Sequence, residues 1–162
     1  MNPSAPGKQV LLLGLGNDIL ADDSIGLRVV QILRERRPPD PRLDFIDTCE
    51  MGLSLLDFIE GYRQVLLVDA VQTRQAPPGF IHEINVADLP TLPQYSPHFL
   101  GVGEVMALGR LLGLAMPEKF RIYAVEVADP FTVKTELTPI MEQALPGVLA
   151  HLDNALTEAL KD

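Results

Sequence analysis

The 162-residue chain has no tryptophan and a single cysteine, Cys49. One thiol cannot form an internal disulfide, and zinc fingers and iron–sulfur clusters need several, so all three are excluded. A lone cysteine fits a reducing, cytoplasmic setting. Basic residues are also scarce. Thirteen Lys and Arg stand against 22 Asp and Glu, giving a net charge of −9 and a pI near 4.7. Nucleic acid is therefore a poor partner, because phosphate binding needs clustered cations. No apolar run approaches the ~20 residues of a membrane helix. The Pro/Ala/Ser-containing tail from Met1 to Lys8 lacks the apolar stretch of a signal peptide and reads as disordered. With no repeat, low-complexity block or long linker, residues 9–162 read as a single domain, close to the usual ~150 residues.

The residues present support a sizeable core, since 47% are hydrophobic. Gln9 to Leu15 is an apolar run that predicts a strand buried on both faces. Ile25, Val29, Ile32 and Leu33 then recur at helical spacing, with Arg34, Arg36 and Arg37 favourably placed at the helix end. Pro38, Pro39 and Pro41 stop that helix. Leu43 to Asp47 predicts a second strand, Leu53 to Ile59 a second helix, and Val65 to Val68 a third strand ended by Asp69. Gly79 to Val86 reads as a fourth strand with Phe80, His82, Ile84 and Val86 on one face. Ser96 followed by Pro97 marks an N-cap and first helical position, opening a helix with Val102, Val105, Met106, Gly109 and Leu112 on one stripe. Phe120 to Val127 is a fifth strand, and Thr138 to Leu160 a last helix bent at Pro146. Alternating strands and helices imply an α/β fold: a three-layer α/β/α sandwich around a mostly parallel, roughly five-stranded twisted sheet.

Ligands of such sheets bind at the carboxyl ends of the strands. Acids crowd that edge: Asp22 and Asp23 after the first strand, Asp47 and Glu50 around the end of the second, Asp69 after the third and Asp129 after the fifth. No Lys or Arg follows closely in sequence, so a bound cation is the expected way to hold them together. Asp22 and Asp23 also read as helix N-caps worth about 1 kcal/mol, although one cap needs only one acid. Asp69 can simply end a strand, and His98 can be an ordinary histidine in a first helical turn. Together, two carboxylates and an imidazole suit a divalent first-row metal and leave coordination positions open. Glu50 and Asp129 are rival ligands, whereas His82, mid-strand, and His151, mid-helix, read as structural.

Other chemistries fit less well. Gly14-Leu15-Gly16 begins a dinucleotide fingerprint, but Ile19 stands where the third glycine belongs, and Asp22 and Asp23 would meet the pyrophosphate. The two glycines instead suggest a tight turn with close strand–helix packing. Gly52-Leu53-Ser54-Leu55 starts like a nucleophile elbow, yet Leu56 replaces the last glycine and no strand directly precedes it. Cys49 lies on the right edge, but neighbouring acids oppose the thiolate a nucleophile needs.

The segment Leu13-Gly14-Leu15-Gly16-Asn17-Asp18-Ile19-Leu20-Ala21-Asp22-Asp23-Ser24-Ile25-Gly26 resembles the opening of the nickel-hydrogenase maturation endopeptidases. Leu67-Val68-Asp69-Ala70, Ser96-Pro97-His98-Phe99-Leu100-Gly101 and Leu137-Thr138-Pro139 are similar to later parts of that family, in the same order. The resemblance implies an α/β/α protease that removes the C-terminal extension of a [NiFe]-hydrogenase large-subunit precursor once nickel is installed. It places the nickel-contacting positions on Asp23, Asp69 and His98, with Ni(2+) supplied by the substrate rather than permanently bound. A metal-polarised water with Asp23 or Asp69 as base is one route to cleavage, and an unidentified nucleophile is another. Where the family shows Asp-Gly-Gly-Thr, tied to substrate recognition, this chain has Asp47-Thr48-Cys49-Glu50. Thr48, Cys49 and Glu50 are thus the expected recognition residues, on a backbone stiffened by the loss of two glycines. A monomer acting on a larger partner is expected. The alternative is a non-catalytic checkpoint that senses nickel without cutting. Peptidyl-tRNA hydrolases share the Gly-Leu-Gly-Asn opening, but their Pro-Gly and His-Asn continuations are absent, and the charge opposes tRNA.

Overall fold

A computed structural model describes the backbone of residues 9–91 and 97–162 and the side chains of residues 9–88 and 101–162. The expected disordered tail, 1–8, and the N-cap at Ser96 lie outside the described residues. Strand β1 (Val10–Leu15) is buried along its whole length. With β2 (Leu43–Thr48), β3 (Gln64–Val71), β4 (Ile81–Asn85) and β5 (Lys119–Glu126) it forms one sheet in the order β2-β1-β3-β5-β4. Neighbours are parallel except β4, which runs antiparallel to β5 on the edge.

Two apolar layers cover the sheet because its buried strands alternate their side chains between the faces. Leu11, Leu13, Val65, Leu67, Ile122 and Ala124 face helices α2 (Leu55–Ile59) and α3 (Pro97–Leu111) through Ile59, Val102, Val105 and Met106. On the reverse face, Leu12, Leu66, Val68 and Val125 meet α1 (Ile25–Arg36) and α4 (Pro139–Ala159) through Val29, Leu33, Val148 and Leu152. The expected three layers and mostly parallel five-stranded sheet are what the chain forms. Pro146 lies inside α4, as its position in the sequence implied.

Several boundaries move for identifiable reasons. The third strand does not stop at Asp69: β5 pairs with it from Gln64 through Val71, and that ladder carries the strand past its polar residue. The fourth begins at Ile81 rather than Gly79, since Gly79 is in the left-handed region (φ +93°) and Phe80 closes a turn onto the Pro77 carbonyl at 3.0 Å. The stripe on α3 ends before Leu112, which is 61% exposed beyond the helix. Residues 52–54 form a separate 3-10 turn ahead of α2.

The order of the sheet creates its functional edge. From β1 the chain crosses to β2 on one side and then returns to β3 on the other, so β1 and β3 flank the topological switch point where such sheets bind ligands. There α1 lies almost against the strands. A Cβ on Gly14 would stand 2.3 Å from the Gly26 carbonyl oxygen, and one on Gly26 would stand 2.2 Å from that of Leu15 and 2.5 Å from that of Val68. All of these obstructing atoms are backbone and cannot rotate away. Gly26→Ala is therefore expected to destabilise the protein by about 3 kcal/mol, read as a lower midpoint in urea; an unchanged midpoint would mean that the helix can lift without cost.

Candidate functional site

Between β1 and α1 the chain makes a short 3-10 turn, Ala21–Ser24, at the switch point. Its two acids have divided roles. Neither caps a helix: no side-chain cap bond is present at the start of the turn or of α1, which corrects the N-cap expectation. Asp22 is fully buried. Its Oδ2 accepts the backbone N–H groups of Ala128 (3.1 Å) and Asp129 (2.8 Å), and its Oδ1 that of Thr138 (2.7 Å). The Thr138 hydroxyl, which could have capped α4, lies 3.0 and 2.9 Å from the two oxygens instead. The carboxylate thus ties both ends of a strap, residues 128–138, to the turn. Ala21 is held in the left-handed region (φ +32°), uncommon for a residue with a Cβ, while its N–H donates to the Lys134 carbonyl at 2.8 Å.

Asp23 is half-buried beside this hub and raises the pKa of Asp69 through space. Asp69 lies on the odd-numbered face of β3, with Val65, Leu67 and Val71, and so on the α3 side of the sheet. It is 7% exposed, and burial first, then the charge of Asp23, pushes its carboxyl up to about 7 against the opposing N–H of Ala70 (2.8 Å). An acid that gives up its proton only near neutrality, beside a second acid, is a perturbed pair of the kind functional sites contain. His98 belongs to the first turn of α3, the helix that covers this face of the sheet; its side chain lies outside the described residues. Among the described residues no group of three metal-ligating side chains stands together.

Asp47 and Asp129 are engaged elsewhere, and the partner of Asp47 corrects the picture of an edge without nearby cations. Asp47 meets Arg34 at 2.6 Å and Gln31 at 2.9 Å. Although partial burial opposes it, these bonds hold its carboxyl below the usual range. Asp129 folds onto its own strap, bonding the Thr132 hydroxyl and the N–H groups of Phe131 and Thr132, which likewise lowers its pKa. Glu50 and Cys49 are exposed, and the Glu50 N–H donates to the Thr48 hydroxyl at 3.1 Å. His151 pairs with Glu83 at 2.6 Å, and His82 contacts the buried Glu126 at 3.0 Å, in line with their structural reading. Sequence reasoning missed Glu126, which also accepts the Thr73 hydroxyl and N–H. A groove of about 500 Å³ lies at the opposite ends of the strands, lined by Gln64, Lys119, Arg121 and His151 among others. It is remote from Asp23 and Asp69.

The sheet and the helices that cover it are shared with a defined class of proteins. The chain matches the hydrogenase maturation protease family over residues 27–154 and belongs to it. It is 29% identical over 158 residues to the hydrogenase 2 maturation protease of Escherichia coli strain K12, covering 94% of this chain and 95% of that protein. The solved structure of the hydrogenase maturating endopeptidase HybD from E. coli superposes with a TM-score of 0.79 at 27% identity, over 93% of each chain. A [NiFe] hydrogenase maturation protease from Thermococcus kodakarensis KOD1 shares the fold at 19% identity, with a TM-score of 0.67 over 98% of this chain and 96% of that one. The protein is accordingly a hydrolase, an endopeptidase of hydrogenase maturation. Among the described residues no helix is long and apolar enough to cross a membrane.

Two outcomes follow for the acids. Asp22→Ala leaves the N–H groups of Ala128, Asp129 and Thr138 without their acceptor and is expected to cost about 3 kcal/mol in urea denaturation. For Asp69 the folded carboxyl near 7 keeps a proton that the unfolded chain has already released above its ordinary value of 3.8. Stability of the metal-free protein must then fall as pH rises between those values and level off above them. Asp69→Asn should remove a decline on the order of 3 kcal/mol between pH 4.5 and 7.5, and parallel pH profiles of the two proteins would refute the assignment.

Proposed function

We propose that the protein removes the C-terminal extension of a [NiFe]-hydrogenase large-subunit precursor, using Asp23, Asp69 and His98 to contact the nickel that the substrate carries. One observation supports this above the others: Asp69 is buried against Asp23 at the switch point, and its carboxyl is held near 7 chiefly by burial. A cation brought to the pair would relieve both burial and repulsion. The donor set fits nickel, for which carboxylate and imidazole are suitable ligands. With no thiolate in it, the set suits borrowed nickel that must be released after the cut.

Nickel arriving with the precursor then serves as the recognition element and fixes the scissile peptide beside the acids. Asp23 or Asp69 would take a proton from the attacking water and return it to the amine that leaves. Thr48, Cys49 and Glu50, at the end of β2, are the residues proposed to meet the rest of the partner. The work is done in the cytoplasm by a monomer, with residues 9–162 as its single domain and no nucleic acid or membrane involved.

The test is mass spectrometry of nickel-loaded precursor after mixing with purified protein. Wild type should release a C-terminal peptide, and His98→Ala should release none while keeping the melting temperature. Processing at the normal rate by that variant would remove His98 from the site. A wild-type protein that binds the precursor but leaves its mass unchanged would be a nickel-sensing checkpoint instead.

A further inference from the structure

Arg74, in the loop that follows β3, has an uncommon backbone. Its φ of +60° lies in the left-handed region, where a Cβ is disfavoured and glycine is the usual residue. Such conformations persist only where the surroundings fix them, and they gather at functional sites. Here both neighbours are fixed. The carboxylate of Glu126, 1% exposed, accepts the Thr73 N–H at 3.2 Å and the Thr73 hydroxyl, whose oxygen in turn accepts the Gln75 N–H at 3.1 Å. The loop is also joined to the acidic turn. Because β5 lies between β3 and β4, residues 72–80 cross its carboxyl end. There the Gln72 amide donates to the Ala128 carbonyl at 2.8 Å, and the N–H of the same Ala128 donates to Asp22 at 3.1 Å. Two bonds thus connect the loop that presents Arg74 with the residue preceding Asp23. The Arg74 side chain itself is exposed and has no hydrogen bond or ion pair among the described residues. By contrast, Arg34 is held by Asp47, and Arg28 by the Ser24 hydroxyl and the Thr135 carbonyl.

We propose that Arg74 is a specificity-determining residue of the protease, its guanidinium binding a carboxylate of the precursor's C-terminal extension. This rests on the protease reading above and names a substrate contact for it. The chemistry argues for that ligand. A guanidinium is a planar fork that takes a carboxylate through two parallel hydrogen bonds. Any segment removed from a C-terminus ends in an α-carboxylate, and an edge carrying Asp23, Asp69 and Glu50 repels such a group unless a cation receives it. Arg74 is a cation on that edge with no acid of its own. The carboxylate has two sources, the chain terminus or an acidic side chain within the extension, and the experiment separates them.

The experiment measures cleavage of nickel-loaded precursor by wild type, Arg74→Gly, Arg74→Lys and Lys134→Gln. Glycine suits the left-handed backbone, so the melting temperature of Arg74→Gly should hold while KM rises about tenfold, equivalent to ~1.4 kcal/mol of binding. Arg74→Lys keeps the charge without the fork and should recover part of that loss. Lys134→Gln removes an exposed charge from the strap and should leave KM unchanged. Wild type and Arg74→Gly are then compared on precursor with an amidated C-terminus and on precursor whose extension has Asn and Gln for Asp and Glu. The substrate on which their KM values converge identifies the carboxylate. An unchanged KM in Arg74→Gly would overturn the proposal. So would an equal rise in Lys134→Gln, the mark of net charge alone, or a gap that survives both substrate changes combined. Cleavage by wild type keeps the protease reading intact whichever of these occurs, whereas its absence would overturn that reading and the role of Arg74 with it.

Discussion

The buried carboxylate of Asp22 holds the functional edge together. It accepts three backbone N–H groups and a hydroxyl from a segment more than a hundred residues away in sequence, and it is wholly shielded from water. Bonds of this kind are strong because a charged acceptor in a low-dielectric setting is costly to leave unmet. The turn that carries Asp23 is thereby locked to the chain that leads into α4. Without that lock the uncommon backbone of Ala21 has no evident reason to persist.

Asp69 shows the opposite use of burial. Where Asp22 is surrounded by donors, Asp69 has one backbone N–H and a like charge for a neighbour. Two acids sit on the same edge of the same sheet, and among the described residues only one of them is surrounded by donors. That contrast in partners distinguishes the two carboxylates where exposure does not, since both are buried.

Much of this was legible from residues alone. Apolar runs located β1, β3 and β5, helical spacing located α1, and the strand-end pattern put Asp23 and Asp69 among six acids on one edge, from which only the family resemblance selected them. The pair Gly14 and Gly26 is less transparent: the sequence suggested close packing around Gly14-Leu15-Gly16, while the reciprocal contact with Gly26 depends on how α1 returns over the sheet. The division of labour between Asp22 and Asp23 was hidden for a similar reason, because the partners of Asp22 lie at 128–138. Asp47 likewise looked unpaired along the chain and meets Arg34 only in space. Local patterns reveal elements and candidate chemistry. Which acid is already neutralised is decided by contacts between distant segments.

The carbonyl oxygens of Leu15, Gly26 and Val68 crowd the β1–α1–β3 corner so closely that not even a methyl group fits at its glycines. Across the rim, Cys49, Glu50, Met51 and Leu53 stand in solvent and support no core. The two sides therefore tolerate mutation very unequally. Descendants of this gene can diversify the outer lip at little cost, while the corner beneath the acids stays frozen by steric necessity.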